Sequence, residues 1–273
     1  MDRHIGYRPR RPASFAKVIF VSIVDILIIF VSIVVTSFIS GLLSLGGGTI
    51  LMGVFVWIMP VALAMMLHGV TQFVSNGSRA VVYWKHIRWP LITGYVIGAL
   101  AITAIFSLIA YVPDKAVVFL LCGTLPFANY VIPKDYALDV TKRGQSVTCG
   151  FVNTGVMLTS GVSGPVLDVF FNKTDLTRFQ IMGTKGLIQS LAHCLKVLYF
   201  GGIILATTGE FDMGILPWWI FVVAIFLSSG GNLLASKFVT KMSDQQFRKY
   251  AQYMTLGIGV TFFVRGVMLL IEG

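Results

Sequence analysis

Three consecutive glycines, Gly46, Gly47 and Gly48, sit inside a stretch that is otherwise almost entirely apolar from residue 18 to residue 67. An apolar run of this length matches a bilayer, where about 20 helical residues cross a hydrocarbon core of ~30 Å. Glycine costs a helix interior about 1 kcal/mol relative to alanine, so a triplet should break the helix. Within lipid every freed backbone N–H and C=O needs a partner, and broken backbone survives only against protein or beside a wet cavity. Spaced glycines also let helices approach closely, but a triplet suits a break better than a packing face. The segment SGLLSLGGGTILM, residues 40–52, has a looser second copy in SGVSGPVL, residues 160–167.

Composition agrees with the bilayer reading. Of 273 residues, 56% are hydrophobic and only 12% charged, against about 25% charged in soluble domains. The chain reads as an all-α polytopic membrane protein. Its basic segment 1–17 leads into an apolar run too long for a signal peptide, and no small-residue cleavage site stands out. The net charge of +10 comes mostly from cations between apolar runs. That pattern points to cytoplasmic anchoring rather than nucleic acid, and secondarily to attraction of an anion. Cys122, Cys149 and Cys194 are far apart and offer neither a disulfide framework nor metal-ligand spacing. They read as small packing residues. Paired carboxylates and a phosphate loop are absent from the sequence as well, so no catalytic residue, metal or cofactor is expected.

The apolar blocks fall into two similar halves. After the basic segment 1–17, the first repeat is expected over 18–132, with an extra N-terminal span over 18–38. It continues with a glycine-interrupted block over 40–60, a polar span over 61–84, and cleaner spans over 91–111 and 116–132. A cytoplasmic linker, 133–145, leads to the second repeat, 146–273. There the order recurs: 146–171 with SGVSGP at its centre, a polar block over 178–208, then 214–236 and 247–271. Internal repeats of this kind mark secondary transporters. Eight crossings would place the basic loop 237–249 outside and the acidic turn 210–212 inside, against the positive-inside pattern. If 146–171 dips in and returns, every basic connector becomes cytoplasmic and the halves are inverted. That gives seven spans with the N-terminus inside, with eight spans and parallel repeats as the alternative.

A returning half-helix presents its N-terminus at the bilayer centre. Unpaired N–H groups and the positive end of the helix dipole gather there, which is a ready anion site. Glycine lets a ligand approach the backbone, and Pro165 suits a first helical turn. Gly46, Gly47, Gly48, Thr49, Ser163 and Gly164 are therefore candidate substrate ligands, although a hairpin can also be scaffolding. The polar helices add side chains at helical spacing: Thr71, Gln72, Ser75, Asn76 and Arg79 in one, and Lys185, Gln189, His193 and Lys196 in the other. Of these, Thr71, Gln72, Asn76, Lys185 and Gln189 are taken as substrate ligands together with Thr184. Plain inter-helical hydrogen bonding is the bland account of such stripes. Lys185 needs a counter-charge, which a bound anion could supply. His68 and His193 are candidates for carrying a proton. Asp25, Asp168 and Arg265 are further ionisable residues within apolar blocks.

At these residues the chain resembles the TauE/SafE family of membrane permeases, the sulfite-exporter group. The resemblance rests on SGLLSLGGG followed by Pro60, on GVMLTSGVSGP, and on Gly183-Thr184 opening a polar helix, and it covers about residues 31–271. Ser163 and Pro165 depart from the glycine-rich pattern, standing where the first copy has Gly47 and Thr49. The resemblance implies transport of small anions, commonly sulfur-containing ones such as sulfite or sulfonates, across a bacterial inner membrane. The expected partners are a small anion and the lipid bilayer, with no nucleic acid; a homodimer is compatible with the sequence. An anion channel and a membrane-embedded enzyme acting on a small anion or lipid are the alternatives.

Overall fold

The computed structural model describes residues 22–43, 46–127, 138–208, 216–239 and 244–272. Among the described residues there are ten α-helices and no strand. They are α1 (Ile23–Leu43), α2 (Gly47–Ile58), α3 (Val61–Val82), α4 (Trp89–Ile109), α5 (Lys115–Thr124), α6 (Gln145–Ser160), α7 (Gly164–Phe171), α8 (Arg178–Thr208), α9 (Trp218–Val239) and α10 (Asp244–Glu272). The basic segment 1–17, the acidic turn 210–212 and the first part, 133–137, of the expected linker 133–145 lie outside the described residues. By length and composition, Ile23–Leu42, Trp89–Ile109, Arg178–Ile203 and Trp218–Ala235 are each able to cross a membrane. Their outer faces carry exposed Leu27, Val31, Ile97, Leu108, Phe226 and Leu233. Such faces suit lipid rather than water.

Contacts between helices set their directions. Ser37 donates to Ser228 Oγ, and Gly41 stands against Ala235. Ser228 reaches the Thr71 carbonyl and Asn232 reaches Ser75 Oγ. Matched steps on three helices mean that α1, α3 and α9 run the same way. In α4 and α6, Gly94 meets Ser146 and Gly155 meets Ile102, so this pair is also parallel. The close approach of α4 to α6 depends on Gly98 and Gly150, whose missing side chains leave room for the Val147 and Tyr95 carbonyls. Asn153 and Thr154 hold the Tyr95 hydroxyl across the same seam. The α3–α8 pair is antiparallel, with Gly69 against Val197 and Gly183 against Tyr83. So is α5–α10, with Gly123 against Phe263 and Gly266 against Leu120.

Two reversals interrupt this bundle. At the first, Gly46 takes φ 75°, a left-handed conformation that glycine adopts at little cost. Gly47 then packs back against Thr36 and Ser40 of α1, so α1 and α2 form a hairpin. The separate span expected over 18–38 and the glycine-interrupted block over 40–60 take a different form. α1 continues to Leu43 and is itself the ingoing arm. Gly41 does not interrupt it; its missing side chain instead leaves room for Ala235 and Asn232 of α9. At the second reversal Gly161 takes φ 82°, and α7 begins at Gly164. Phe170, near the end of α7, accepts a hydrogen bond from the Val140 amide. The second hairpin therefore returns to the end of the bundle from which α6 set out.

Candidate functional site

The two reversals meet inside the bundle. Gly161 stands against the Met52 side chain, and next to this contact lies a cavity of about 230 Å³. At ~30 Å³ per water, that is room for a small oxyanion and a few waters. Gly46, Gly48 and Thr49 line it from the first reversal, and Ser163, Gly164 and Pro165 from the second. The α3 residues His68, Gln72, Asn76 and Arg79 face it on one side. Lys185, Gln189 and His193 of α8 and Asp168 of α7 complete the wall.

Helix ends dominate the chemistry of this cavity. The first hydrogen bonds of the returning helices run from Ile50 to Gly46 and from Leu167 to Ser163. Neither N-cap supplies a side-chain cap. The amides ahead of Ile50 and Leu167 are thus the unpaired donors expected at a helix start. A helix N-terminus stabilises an anion by about 0.3–1 kcal/mol when exposed and up to ~2 kcal/mol when partly buried. Ser163 Oγ and His193 Nδ1 are buried and have no hydrogen-bond partner among the described residues. Buried polar atoms without partners are uncommon and call for a ligand or water.

The charged lining is two cations against one carboxylate. Lys185 is ion-paired with Asp168, so its counter-charge is already present in the chain. Arg79 makes no ion pair among the described residues, which leaves the excess positive charge with it. Arg79 falls three residues after Asn76, on the same helical stripe, and that spacing was the sequence signal for it. The Asp168–Lys185 pairing has no such signal, because it joins two helices.

Of the fourteen residues expected from sequence to bind substrate or carry a proton, the structure brings eleven to this cavity: Gly46, Gly48, Thr49, His68, Gln72, Asn76, Ser163, Gly164, Lys185, Gln189 and His193. Three lie elsewhere. Gly47 is turned to α1, where a β-carbon would overlap the Thr36 carbonyl oxygen. The Thr71 hydroxyl donates to the His68 carbonyl within its own helix. Thr184 Oγ1 accepts the Arg88 amide and ties the α3–α4 turn to α8. Lys196 continues the α8 stripe but lies behind the cavity wall, fully buried. Its Nζ is 2.7 Å from His68 Nδ1 and 2.9 Å from the Gly161 carbonyl oxygen.

No match was found among curated proteins or among solved structures. The family model described as sulfite exporter TauE/SafE matches residues 28–262, a range that takes in both reversals and every cavity residue named above. The chain belongs to the sulfite exporter TauE/SafE family of membrane transport proteins.

Proposed function

We propose that the protein is a secondary transporter of small sulfur-containing anions such as sulfite or a sulfonate, bound in the cavity between the two hairpin tips. One observation carries this reading. Two uncapped helix N-termini open into a single cavity that also holds Arg79 and the unpartnered Ser163 Oγ. Opposed half-helices beside an internal cavity are how transporters hold charged solutes near the bilayer midplane.

In this reading the two halves are inverted repeats. The pairing of α1 with α9 mirrors that of α6 with α4, while α3–α8 and α5–α10 pair across the repeat axis. The chain then makes six crossings and two hairpins, in place of seven or eight spans. Lys85, Arg88, Lys142, Arg143, Lys173, Arg178, Lys237 and Lys249 belong to connectors or helix ends on one side of the bundle. The positive-inside rule makes that side cytoplasmic, and membership of the family supports a bacterial inner membrane as its location. Ile23 falls at the opposite side. The five cations of 1–17 oppose that orientation and are outnumbered by the eight of the connectors.

The test is a thermal-shift and binding screen of purified protein with sulfite, sulfate, sulfoacetate, taurine and short carboxylates. It is followed by flux into liposomes at a set voltage. Binding of a sulfur anion with saturable exchange is expected. Absence of binding by all of these anions would overturn the reading. Unitary current in place of saturable exchange would make the protein a channel.

A further inference from the structure

One side-chain pair, His68 in the cavity wall and Lys196 behind it, joins the two hairpin tips. His68 Nε2 is 2.8 Å from the carbonyl oxygen of Gly48, in the first turn of α2. His68 Nδ1 is 2.7 Å from Lys196 Nζ, which is 2.9 Å from the carbonyl oxygen of Gly161 at the second reversal. Lys196 is 0% exposed and His68 1%, and neither has a carboxylate partner among the described residues.

The donors and acceptors can be counted. A carbonyl oxygen only accepts, so His68 Nε2 carries a hydrogen. A neutral Lys196 amine has two hydrogens, one for His68 Nδ1 and one for Gly161, and satisfies every contact without charge. One added proton gives an ammonium beside a neutral imidazole, or an amine beside an imidazolium, with the same contacts kept. The geometry thus accepts a proton without rearrangement. The charged form alone lacks a counter-ion, and a buried charge is stable only when compensated.

The remaining titratable groups around this pair supply no negative charge next to it. From α8 comes His193, whose ring centroid is 5.5 Å from that of His68. From α5 comes Cys122, whose thiol donates to the Ser160 carbonyl. Across the cavity stand Arg79 and the Lys185–Asp168 ion pair. An anion in the cavity meets His68 and His193 directly and supplies the missing counter-charge.

We infer that Lys196 and His68 form a proton-binding couple, linked to the anion cavity and to both hairpin tips, so that one proton travels with each anion in the same direction. The proton comes from solvent on the loading side and returns to solvent on release, and no other bond is made or broken. His193, whose Nδ1 is unpartnered, lines the cavity beside His68 and is a second route for the proton between bound anion and couple. This inference rests on the anion-transport reading. Linkage is reciprocal: if the anion favours the charged couple, protons favour anion binding by the same factor.

The test uses methanesulfonate, an anion too weakly basic to carry the proton itself. Calorimetric binding to the full-length purified protein is run between pH 6 and 9 in buffers of different ionisation enthalpy. Uptake of about one proton per anion is expected, with Kd rising up to ~10-fold per pH unit over the titrating range. Lys196→Met and Lys196→Gln, checked for folding by thermal unfolding, should bind with no proton uptake and a flat pH profile. Wild-type binding without proton uptake would overturn the coupling and leave the anion site standing. Proton uptake that persists in either folded variant would also overturn it. Absence of methanesulfonate binding at pH 6 would overturn the coupling and count against the anion site as well.

Discussion

Gly47 and Gly164 occupy the same place in their hairpins, the first residue of a returning half-helix, yet alanine should act oppositely at the two. At Gly47 the added β-carbon would overlap the Thr36 carbonyl oxygen and stand 2.7 Å from Ser40 Cβ. The first obstacle is backbone inside a helix, so relief requires α1 and α2 to separate. Overpacking of this kind costs about 1–3 kcal/mol, offset by at most ~1 kcal/mol of helix propensity. At ~2–4 °C per kcal/mol, Gly47→Ala should lower the unfolding temperature by a few degrees. At Gly164 the nearest neighbour to a β-carbon is Gln189 Nε2, an ordinary contact at 3.6 Å. Gly164→Ala should therefore fold as well as wild type, but its methyl group would stand in the cavity beside the α7 amides. Sulfite affinity should fall ~10-fold or more, equivalent to ~1.4 kcal/mol. The assay is thermal unfolding in detergent at one scan rate, paired with a sulfite Kd for each variant. A Gly164→Ala protein that binds sulfite like wild type would refute the reasoning, as would a Gly47→Ala protein with unchanged stability.

Further expectations concern charge, backbone and topology. Lys185→Met leaves Asp168 unpaired beside the bound anion and should weaken sulfite binding at least ~10-fold, whereas Asp168→Asn should strengthen it; calorimetry giving the reverse order would contradict the charge assignment. Gly161→Ala forces a side chain into a left-handed conformation against Met52 and should destabilise by about 1–3 kcal/mol, read as a lower unfolding temperature. In cells, a cysteine at Asp175 should react only with reagents that cross the membrane, and one at Ser22 also with impermeant reagents added outside. Labelling of both from the same face would rule out two opposed hairpins.

The sequence located both reversals but not how each glycine is used. Of the triplet, only Gly46 leaves helical geometry. Gly47 gives its space to α1, and Gly48 lies against Gln72 at the cavity. A propensity argument treats the three alike, because it does not include the helix that packs against them. Pro165 falls in the first turn of α7, as its lack of an N–H suggests. The polar stripe of α8 was also legible, since Lys185, Gln189 and His193 share one face of the cavity. Its last member, Lys196, goes behind the wall because α8 crosses α3 near Gly69, whose missing side chain opens space for the lysine chain. On its own helix Lys185 is a lone cation that needs a counter-charge. Its partner, Asp168, sits on α7, and nothing in the local pattern announces that two helices will bring them together.

The most direct measurement is the position of a bound heavy oxyanion, selenate or selenite, from its anomalous scattering in crystals of the protein. The account predicts one strong site within hydrogen-bonding reach of the amides near Gly48 and Gly164 and of Ser163 Oγ, on the side of Arg79. An ion bound elsewhere in a protein that takes it up, with this cavity holding none, would contradict it.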